Sequence, residues 1–341
     1  MSQAPFGSTS RHGLTITLIV LGVLTVLAFL LHVGIGAYFR LSPIQVAQEV
    51  LRGDVGGSDA INNVIWRLRL PRAAACVLVG MMLGLVGSAF QSLFRNPLAD
   101  PYLVGASSGA AVGGAIATVA GWSALFNGLA VGLAALIGGL ATLAVVIAIA
   151  SRRGRQEVTT LLLSGVVVGS MLAALLALVL LSAGQDTNRV LRWLMGSMTP
   201  MFAPKLWVLL AALVIGAPIL LRDAKALNLM ALGEETARRL GVDAHRVKWR
   251  VLIVGTAMTS IAVGAVGIIG FLGLVSPHIA RRLVGVDWRR SLPVSALVGA
   301  VLLCLADLAA QRLVPDVELP VGAVTAILGA PALLVLIRRK D

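Results

Sequence analysis

Hydrophobic stretches long enough to cross a bilayer recur about ten times along this 341-residue chain. A helix of about 20 apolar residues spans a hydrocarbon layer of about 30 Å, and inside that layer the backbone must satisfy its own hydrogen bonds. The pattern therefore predicts an all-α, polytopic membrane protein. The expected spans are 14–39, 71–94, 102–121, 124–150, 158–183, 203–221, 251–269, 270–285, 291–310 and 319–337.

The eighth span is short and carries Pro277 near its middle. We nevertheless expect it to cross, because otherwise the basic segment 281–290 would lie outside. The first apolar run is too long for the core of a cleavable signal peptide, so we expect it to be retained. We therefore expect residues 1–13 to be a cytoplasmic leader and residues 14–341 to form one transmembrane domain.

The composition excludes a soluble globule, because 58% of the residues are hydrophobic and only 13% are charged. A net charge of +13 would suggest a nucleic-acid partner in a soluble protein. The basic residues lie mostly in short loops, so we expect lipid and no nucleic acid as the partner. With the N-terminus inside, 19 of the 28 Lys and Arg residues lie inside, which favours cytoplasmic N- and C-termini.

An offset of 180 residues aligns part of the chain with itself. Gly84 then pairs with Gly264, Pro97 with Pro277, and Leu103-Val104-Gly105 with the same three residue types at 283–285. In the predicted topology these copies run in opposite directions, so spans two to five and seven to ten form an inverted repeat, a recurring transporter architecture. Two unrelated glycine-rich helices are the alternative.

The predicted external loop 40–70 ends in a cationic run at the start of span two, which includes Arg67, Arg69 and Arg72. Cations at a helix N-terminus oppose the helix dipole, so acidic groups should compensate them. Carboxylates of a partner and lipid headgroups are both open as the source of that charge.

A second hydrophilic stretch, residues 227–248, is predicted to be cytoplasmic. Glu234 and Arg238, like Glu235 and Arg239, are spaced for ion pairs one helical turn apart, and Gly241 is a suitable helix stop. We expect a short amphipathic helix outside the membrane, which either docks a cytoplasmic protein or is simply solvated.

A third stretch, Gly184–Lys205, places Met195, Met198 and Met201 at three-residue spacing. Thioether sulfurs can line a route for a soft metal or an apolar chelate. Methionine on an apolar helix face is more often simple packing.

Asp307 is the only carboxylate well inside a predicted span. An unpaired charge in the membrane is costly, so Asp307 should pair with Arg312 or Arg72. Glu318 instead lies favourably at the start of span ten.

Four further polar or sulfur-bearing residues lie within or beside the spans: Cys76, Cys304, His32 and His278. Reduced cysteine as a small apolar residue is the simplest interpretation, so we predict neither a disulfide nor a metal site. For the histidines a hydrogen bond to nearby backbone is favoured over metal ligation.

None of the four lysines follows a glycine, so the chain has no GxxxxGK[ST] phosphate loop. Transport driven by ATP would need another chain to hydrolyse it. An ion-coupled secondary transporter also suits an inverted repeat, but it needs ionisable groups in the membrane, and Asp307 is the main one. A membrane-embedded enzyme is disfavoured, because no carboxylate pair or His/Cys cluster converges in the spans.

Several motifs in order give the chain a family resemblance. It resembles the iron-chelate, haem and cobalamin uptake permeases of bacterial ABC importers over nearly everything after about residue 35. The motifs that carry the resemblance are Arg69-Leu70-Pro71-Arg72, Asn96-Pro97-Leu98-Ala99-Asp100-Pro101, the helix at 233–242, Gly270-Phe271-Leu272-Gly273-Leu274-Val275-Ser276-Pro277-His278 and Glu318-Leu319-Pro320-Val321-Gly322.

The resemblance implies a ten-span subunit of the bacterial inner membrane that forms a homodimer, binds two ATPase subunits inside and receives cargo from a periplasmic binding protein outside. It implies no cofactor on this chain, with ATP and Mg²⁺ on the ATPase, and no enzymatic activity of its own. The segment 227–245 would be the coupling segment. Its predicted ATPase contacts are Gly233, Glu234, Glu235, Arg238 and Arg239. The predicted docking residues for the binding protein are Arg69, Arg72 and Arg312.

The resemblance also places parts of spans five and ten along the central route. The predicted lining residues are Ser164, Ser170, Met171, Arg192, Met195, Met198 and Thr325. The methionines favour haem over a hydrophilic ferric siderophore, and cobalamin stays open as a third cargo.

Overall fold

The computed structural model describes residues 11–35, 42–53, 60–151, 158–314 and 317–338, and these ranges form helices and connecting loops without a β-strand. The helices are α1 (Arg11–Ile35), α2 (Pro43–Arg52), α3 (Ala60–Val64), α4 (Leu70–Leu93), α5 (Ala106–Val119), α6 (Ala130–Ser151), α7 (Val158–Ser182), α8 (Thr187–Leu194), α9 (Ala203–Ala231), α10 (Glu234–Arg239), α11 (Ala244–Val266), α12 (Leu272–Val284), α13 (Trp288–Arg312) and α14 (Val321–Arg338).

The all-α membrane architecture is confirmed, and every predicted span contains one of these helices. Seven helices of the described chain are long and apolar enough to cross a bilayer. The helices α5 and α12 have only 14 and 13 residues, which corresponds to about 20 Å. The number of membrane crossings, ten, therefore stays a prediction.

Several helices are longer than their apolar cores indicate. The helix α9 continues to Ala231, ten residues past the predicted span, and α11 begins at Ala244. The predicted external loop contains helix α2, which begins with a capping box between Ser42 and Gln45. Hydropathy marks only the apolar part of a helix, so helical ends with polar residues lie outside the predicted limits.

The two halves of the repeat pack in the same way. The helix α4 packs on α13, and its counterpart α11 packs on α6. In the predicted repeat α5, α6 and α7 correspond to α12, α13 and α14. Accordingly, α5 packs on α6 as α12 packs on α13, and α5 contacts α7 as α12 contacts α14. This repeated set of helix contacts supports the internal repeat that the sequence predicts.

The offset of 180 residues is right for α4 and α11 but wrong for the elements that follow them. A Cβ on Gly84 would collide with the backbone of α13, and one on Gly264 would collide with the backbone of α6. Gly105, however, precedes α5, whereas Gly285 follows α12. The connection between α4 and α5 is longer than the one between α11 and α12, which shifts the register.

Close contact between α4 and α13 gives a stability prediction. We expect Gly84→Val to lower the free energy of unfolding by about 1–3 kcal/mol, because the new side chain must push α13 away. Gly22→Val in α1 is the matched control, because a Cβ on Gly22 meets no atom within 4 Å. Denaturation in mixed micelles measures both variants, and equal stabilities would contradict the close packing.

Irregular backbone segments meet beside the end of α11. Ser197 N donates to the carbonyl oxygen of Val266 at 2.8 Å, and Val321 N donates to that of Gly196 at 3.0 Å. The hydroxyl of Tyr102 donates to the carbonyl of Ile269 at 2.8 Å. Non-helical backbone at membrane depth needs such partners, and this junction supplies them.

Candidate functional site

The predicted amphipathic helix exists and is α10. Arg239 donates to Glu235 at 2.6 Å, and Arg238 lies 4.0 Å from Glu234, so both predicted ion pairs are confirmed. Lys248 of α11, which is buried, also contacts Glu234 at 2.8 Å. This last contact fastens the short helix to α11.

Gly241 ends the helix as predicted. It has a φ of +82°, a left-handed conformation that favours glycine. Its N–H donates to the carbonyl of Arg238, and Val242 N–H donates to that of Ala237. This pair of bonds is a Schellman motif, which satisfies carbonyl groups at the helix end.

The outer surface of α10 combines exposed charge with exposed apolar side chains. Leu232 and Leu240, which flank the helix, are 70% and 58% exposed. Of the predicted ATPase contacts, Glu235, Arg238 and Arg239 are exposed, and Gly233 and Glu234 are half-buried. We call the surface of Leu232, Glu235, Arg238, Arg239 and Leu240 the α10 face. Exposed leucines rimmed by charge are typical of a protein-binding surface.

The first residues of the predicted coupling segment belong to α9, and Leu227 is buried. The coupling segment therefore begins with the packed end of α9, where Leu227 and Met230 are buried, and continues into the exposed α10. Two polar contacts anchor this end of α9. Arg250 of α11 donates two bonds to Asp223 at 2.6 and 2.7 Å, and Asn228 donates to Asp287 at 2.7 Å.

Asp287 caps the start of α13 and connects it to the coupling segment. Burial would raise the pKa of Asp287, but hydrogen bonds from Asn228 and Arg289 outweigh it, so the pKa lies below its ordinary value. The carboxylate stays charged and continues to accept from Asn228. Asn228 and Asp287 thus join the coupling segment to the start of α13.

The other end of α13 carries a buried ionic cluster. Arg72 donates two bonds to Asp307 at 2.8 and 3.0 Å, which confirms one of the two predicted partners of this carboxylate. Arg72 also contacts Glu318 at 3.1 Å. His32 Nε2 lies 2.7 Å from Asp307, and Gln311 donates to the same carboxylate at 2.9 Å. The cluster joins α1, α4 and α13.

His32, Cys76 and Asp307 offer ligand atoms within 4.8 Å of one another, a spacing that a metal ion could use. Asp307 already accepts two charge-assisted bonds from Arg72, however, and that guanidinium would repel a cation. The donor set fits an ion-pair network better than a metal centre. The prediction of no metal site at the cysteines stays a prediction.

The predicted docking arginines occupy different environments. Arg69 is buried and donates to the carbonyls of Val33 and Gly34 at the end of α1. Arg312 is exposed and donates to the carbonyl of Ile35. These cations complement the negative end of the α1 dipole. Carbonyl and carboxylate groups of the protein itself thus stabilise the positive charges of Arg69 and Arg72. The role of the three arginines in docking stays a prediction.

A cavity of about 550 Å³ lies beside this cluster, at the predicted external end. We call it the external cavity. Residues of α4, α5, α6, α8, α9, α11, α13 and α14 line it, together with the segments 196–202 and 318–320. Its charged lining residues are Arg72, Arg189, Arg192, Lys205, Asp307 and Glu318, and its aromatic ones are Trp193 and Phe202.

The predicted route residues fall into two groups. Ser164, Met198 and Thr325 are buried within the subunit, and Met198 also lines the external cavity. The others are exposed on α7 and α8 or next to them, namely Ser170, Met171, Arg192 and Met195. The structure does not bring all seven together within one subunit.

The methionine argument for haem is weakened by the structure. Met198 and Met201 are 1% and 7% exposed, and both belong to the main apolar core. Met195 alone of the three is exposed. The three methionines differ in exposure because residues 195–202 form an irregular segment. Three-residue spacing would place them on one face only in a continuous helix.

Comparisons with known proteins place the chain in one family. Residues 24–339 match the FecCD transport family. The cobalamin import permease BtuC of Halobacterium salinarum is 40% identical over 286 residues, which cover 84% of this chain and 76% of that protein. The hemin transport permease HmuU of Yersinia pestis is 36% identical over 329 residues, which cover 94% of this chain and 96% of that one.

A solved structure agrees with this result. It is described as an inward-facing conformation of a metal-chelate type ABC transporter and matches with a TM-score of 0.84 and 31% identity. The match covers 95% of this chain and 99% of that one. Sequence and fold therefore agree over nearly the whole length.

Proposed function

The chain belongs to the FecCD transport family and is a multi-pass permease subunit of a type II ABC importer for iron chelates or cobalamin, and from this premise we propose that it imports haem across a bacterial inner membrane. In this proposal two copies form the central route, and each copy binds one ATPase subunit on the cytoplasmic side. A periplasmic binding protein delivers the cargo from outside.

The observation that carries the proposed mechanism is the anchored and exposed α10 face. ABC permeases of this class work with an ATPase partner, and this chain lacks a phosphate loop of its own. We place ATP and Mg²⁺ on that partner. Movement of the ATPase would displace α10, and the contacts of Asn228 with Asp287 would pass the displacement to α13.

Haem as the cargo is supported by similarity and by charge. The hemin permease matches this chain over almost the full length of both proteins, and so does a Fe(3+)-citrate permease of Bacillus subtilis, whereas the cobalamin permease extends beyond the matched region. Coverage therefore favours an iron chelate over cobalamin, and charge favours haem among the iron chelates. The external cavity presents cations and aromatic rings, which suit a planar chelate with carboxylate groups. The buried methionines no longer contribute to this choice.

Reconstituted uptake tests the function and the cargo together. The permease, its ATPase and its binding protein are placed in proteoliposomes, and entry of radiolabelled haem is followed with and without ATP. We expect ATP-dependent uptake of haem that excess cobalamin or ferric siderophore does not inhibit. Uptake of either competitor in place of haem would reject the cargo, and uptake independent of ATP would reject the importer mechanism.

Docking of the binding protein gives a separate prediction. Arg67 and Arg312 are exposed at the predicted external end, whereas Arg69 and Arg72 are buried. We expect Arg67→Glu/Arg312→Glu to weaken binding of the binding protein by about tenfold or more at low salt, with a smaller effect at high salt. Surface plasmon resonance measures both. If the affinity of the binding protein for the permease changed neither with these substitutions nor with salt, the two arginines would not be part of the interface.

A further inference from the structure

The external cavity holds more positive charge than its own carboxylates neutralise. Four cationic side chains line it, against the carboxylates of Asp307 and Glu318. Arg72 is held by both of those carboxylates. Arg189 lies 2.8 Å from Asp186 outside the lining. Two cations are left, Arg192 and Lys205.

Neither of these two cations forms an ion pair with any residue in the described ranges. The ammonium of Lys205 has the carbonyl oxygens of Pro200 and Ala265 at 3.4 Å, and it lies 4.7 Å from the centre of the Phe202 ring. Carbonyl groups and a ring face stabilise a cation only weakly compared with a carboxylate. An anion is therefore the group that this part of the cavity lacks.

The walls of the cavity narrow the chemical class of that anion. Trp193 and Phe202 also line the cavity, and the Phe202 ring lies against the Lys205 ammonium, so the site favours an apolar or planar body that carries negative groups. The volume of about 550 Å³ is that of a small-molecule pocket. Because Lys205 lies inside the cavity and is partly buried, a small ligand reaches it more readily than an acidic side chain of a docked protein.

We infer that Arg192 and Lys205 bind the carboxylate groups of the cargo as it enters the external cavity. The inference rests on the proposed importer function and adds a binding site to it. Arg192 supplies the planar fork that fits a carboxylate with two bonds, and Lys205 supplies a compact charge. Binding at this site would orient the chelate with its charged edge toward the segment 195–202.

The test compares haemin with haemin dimethyl ester, in which both carboxylates are replaced by uncharged methyl esters. The full-length permease is placed in lipid nanodiscs, and quenching of Trp193 fluorescence is taken as the difference from Trp193→Phe. We expect haemin to bind about tenfold or more tightly than the ester, because the ester loses charge-assisted hydrogen bonds. Arg192→Gln/Lys205→Gln should bring the two affinities to within about threefold of each other.

Two further variants control for charge and folding. Arg222→Gln removes an exposed cation outside the cavity and should keep the preference for haemin. Arg192→Lys/Lys205→Arg keeps both charges and should restore most of it. Equal affinity for the two probes, a preference unchanged by the double Gln variant, or no Trp193-dependent quenching would each overturn the inference. ATP-dependent haem uptake by the same variants, reconstituted in proteoliposomes with the ATPase and the binding protein, would then show that the importer function itself still stands.

Discussion

Replacing Asp307 with alanine should cost more stability than any other single change considered for this protein. Asp307 is fully buried and accepts bonds from Arg72, His32 and Gln311. Without it, the buried guanidinium of Arg72 keeps only Glu318 as a carboxylate partner. Removing one partner of a buried ion pair typically costs about 3–5 kcal/mol. We expect a loss of that size in the free energy of unfolding, measured by denaturation in mixed micelles.

Glu318→Gln is the matched control for this prediction. Glu318 contacts the same guanidinium, but its side chain is 44% exposed, and Arg72 keeps Asp307 after the change. We expect a loss below about 1 kcal/mol, as for exposed ion pairs. If the two variants were equally stable, the ionic cluster would not hold α1, α4 and α13 together as described.

The second large effect should appear at the α10 face. Leu232→Asp/Leu240→Asp places two carboxylates on the exposed apolar part of this surface. Apolar anchors at the centre of an interface each contribute about 2 kcal/mol or more when they are hot spots. We therefore expect the double variant to lose co-purifying ATPase and ATP-driven uptake almost completely, while the permease itself keeps its stability.

Leu68→Asp controls for adding charge to an exposed leucine elsewhere. Leu68 is 56% exposed and lies at the predicted external end, far along the chain from α10. This variant should keep its ATPase. Retention of ATPase by the double α10 variant, measured by pull-down and by stimulated ATP hydrolysis, would rule out this surface as the coupling site.

The sequence predicted those features that depend on local pattern. Long apolar runs located a helix in each of the ten predicted spans, because a membrane helix needs a long run of apolar residues. The spacing of Glu235 and Arg239 and the glycine at 241 predicted α10, since ion pairs one turn apart and a left-handed helix stop are local rules.

Features that depend on contacts between distant segments were predicted less completely. Asp307 had two candidate partners, and only the packing of α4 on α13 selects Arg72. Burial of Arg69 against the end of α1 and of Met198 in the core could not be read from spacing. The sequence did not indicate the binding role that we infer for Lys205, because the lack of a carboxylate nearby is visible only once the chain is folded. The sequence offered one signal for this site, namely that Lys205 lies at the start of an apolar helix.

A further consequence concerns the rival class of ion-coupled transporters. Such a transporter needs a carboxylate or histidine that can change its charge as the protein moves. Asp307, the main candidate, is held by two bonds from Arg72 and by His32. The arrangement favours a structural role for this carboxylate over a role in ion coupling.

The most direct test of the account is uptake by the isolated permease compared with uptake by the permease and ATPase together. Both are reconstituted in proteoliposomes with binding protein and haem outside and ATP inside. The account predicts accumulation against a gradient only when the ATPase is present, and its loss when the α10 face carries Leu232→Asp/Leu240→Asp. Accumulation by the permease alone, under an ion gradient or without one, would contradict it.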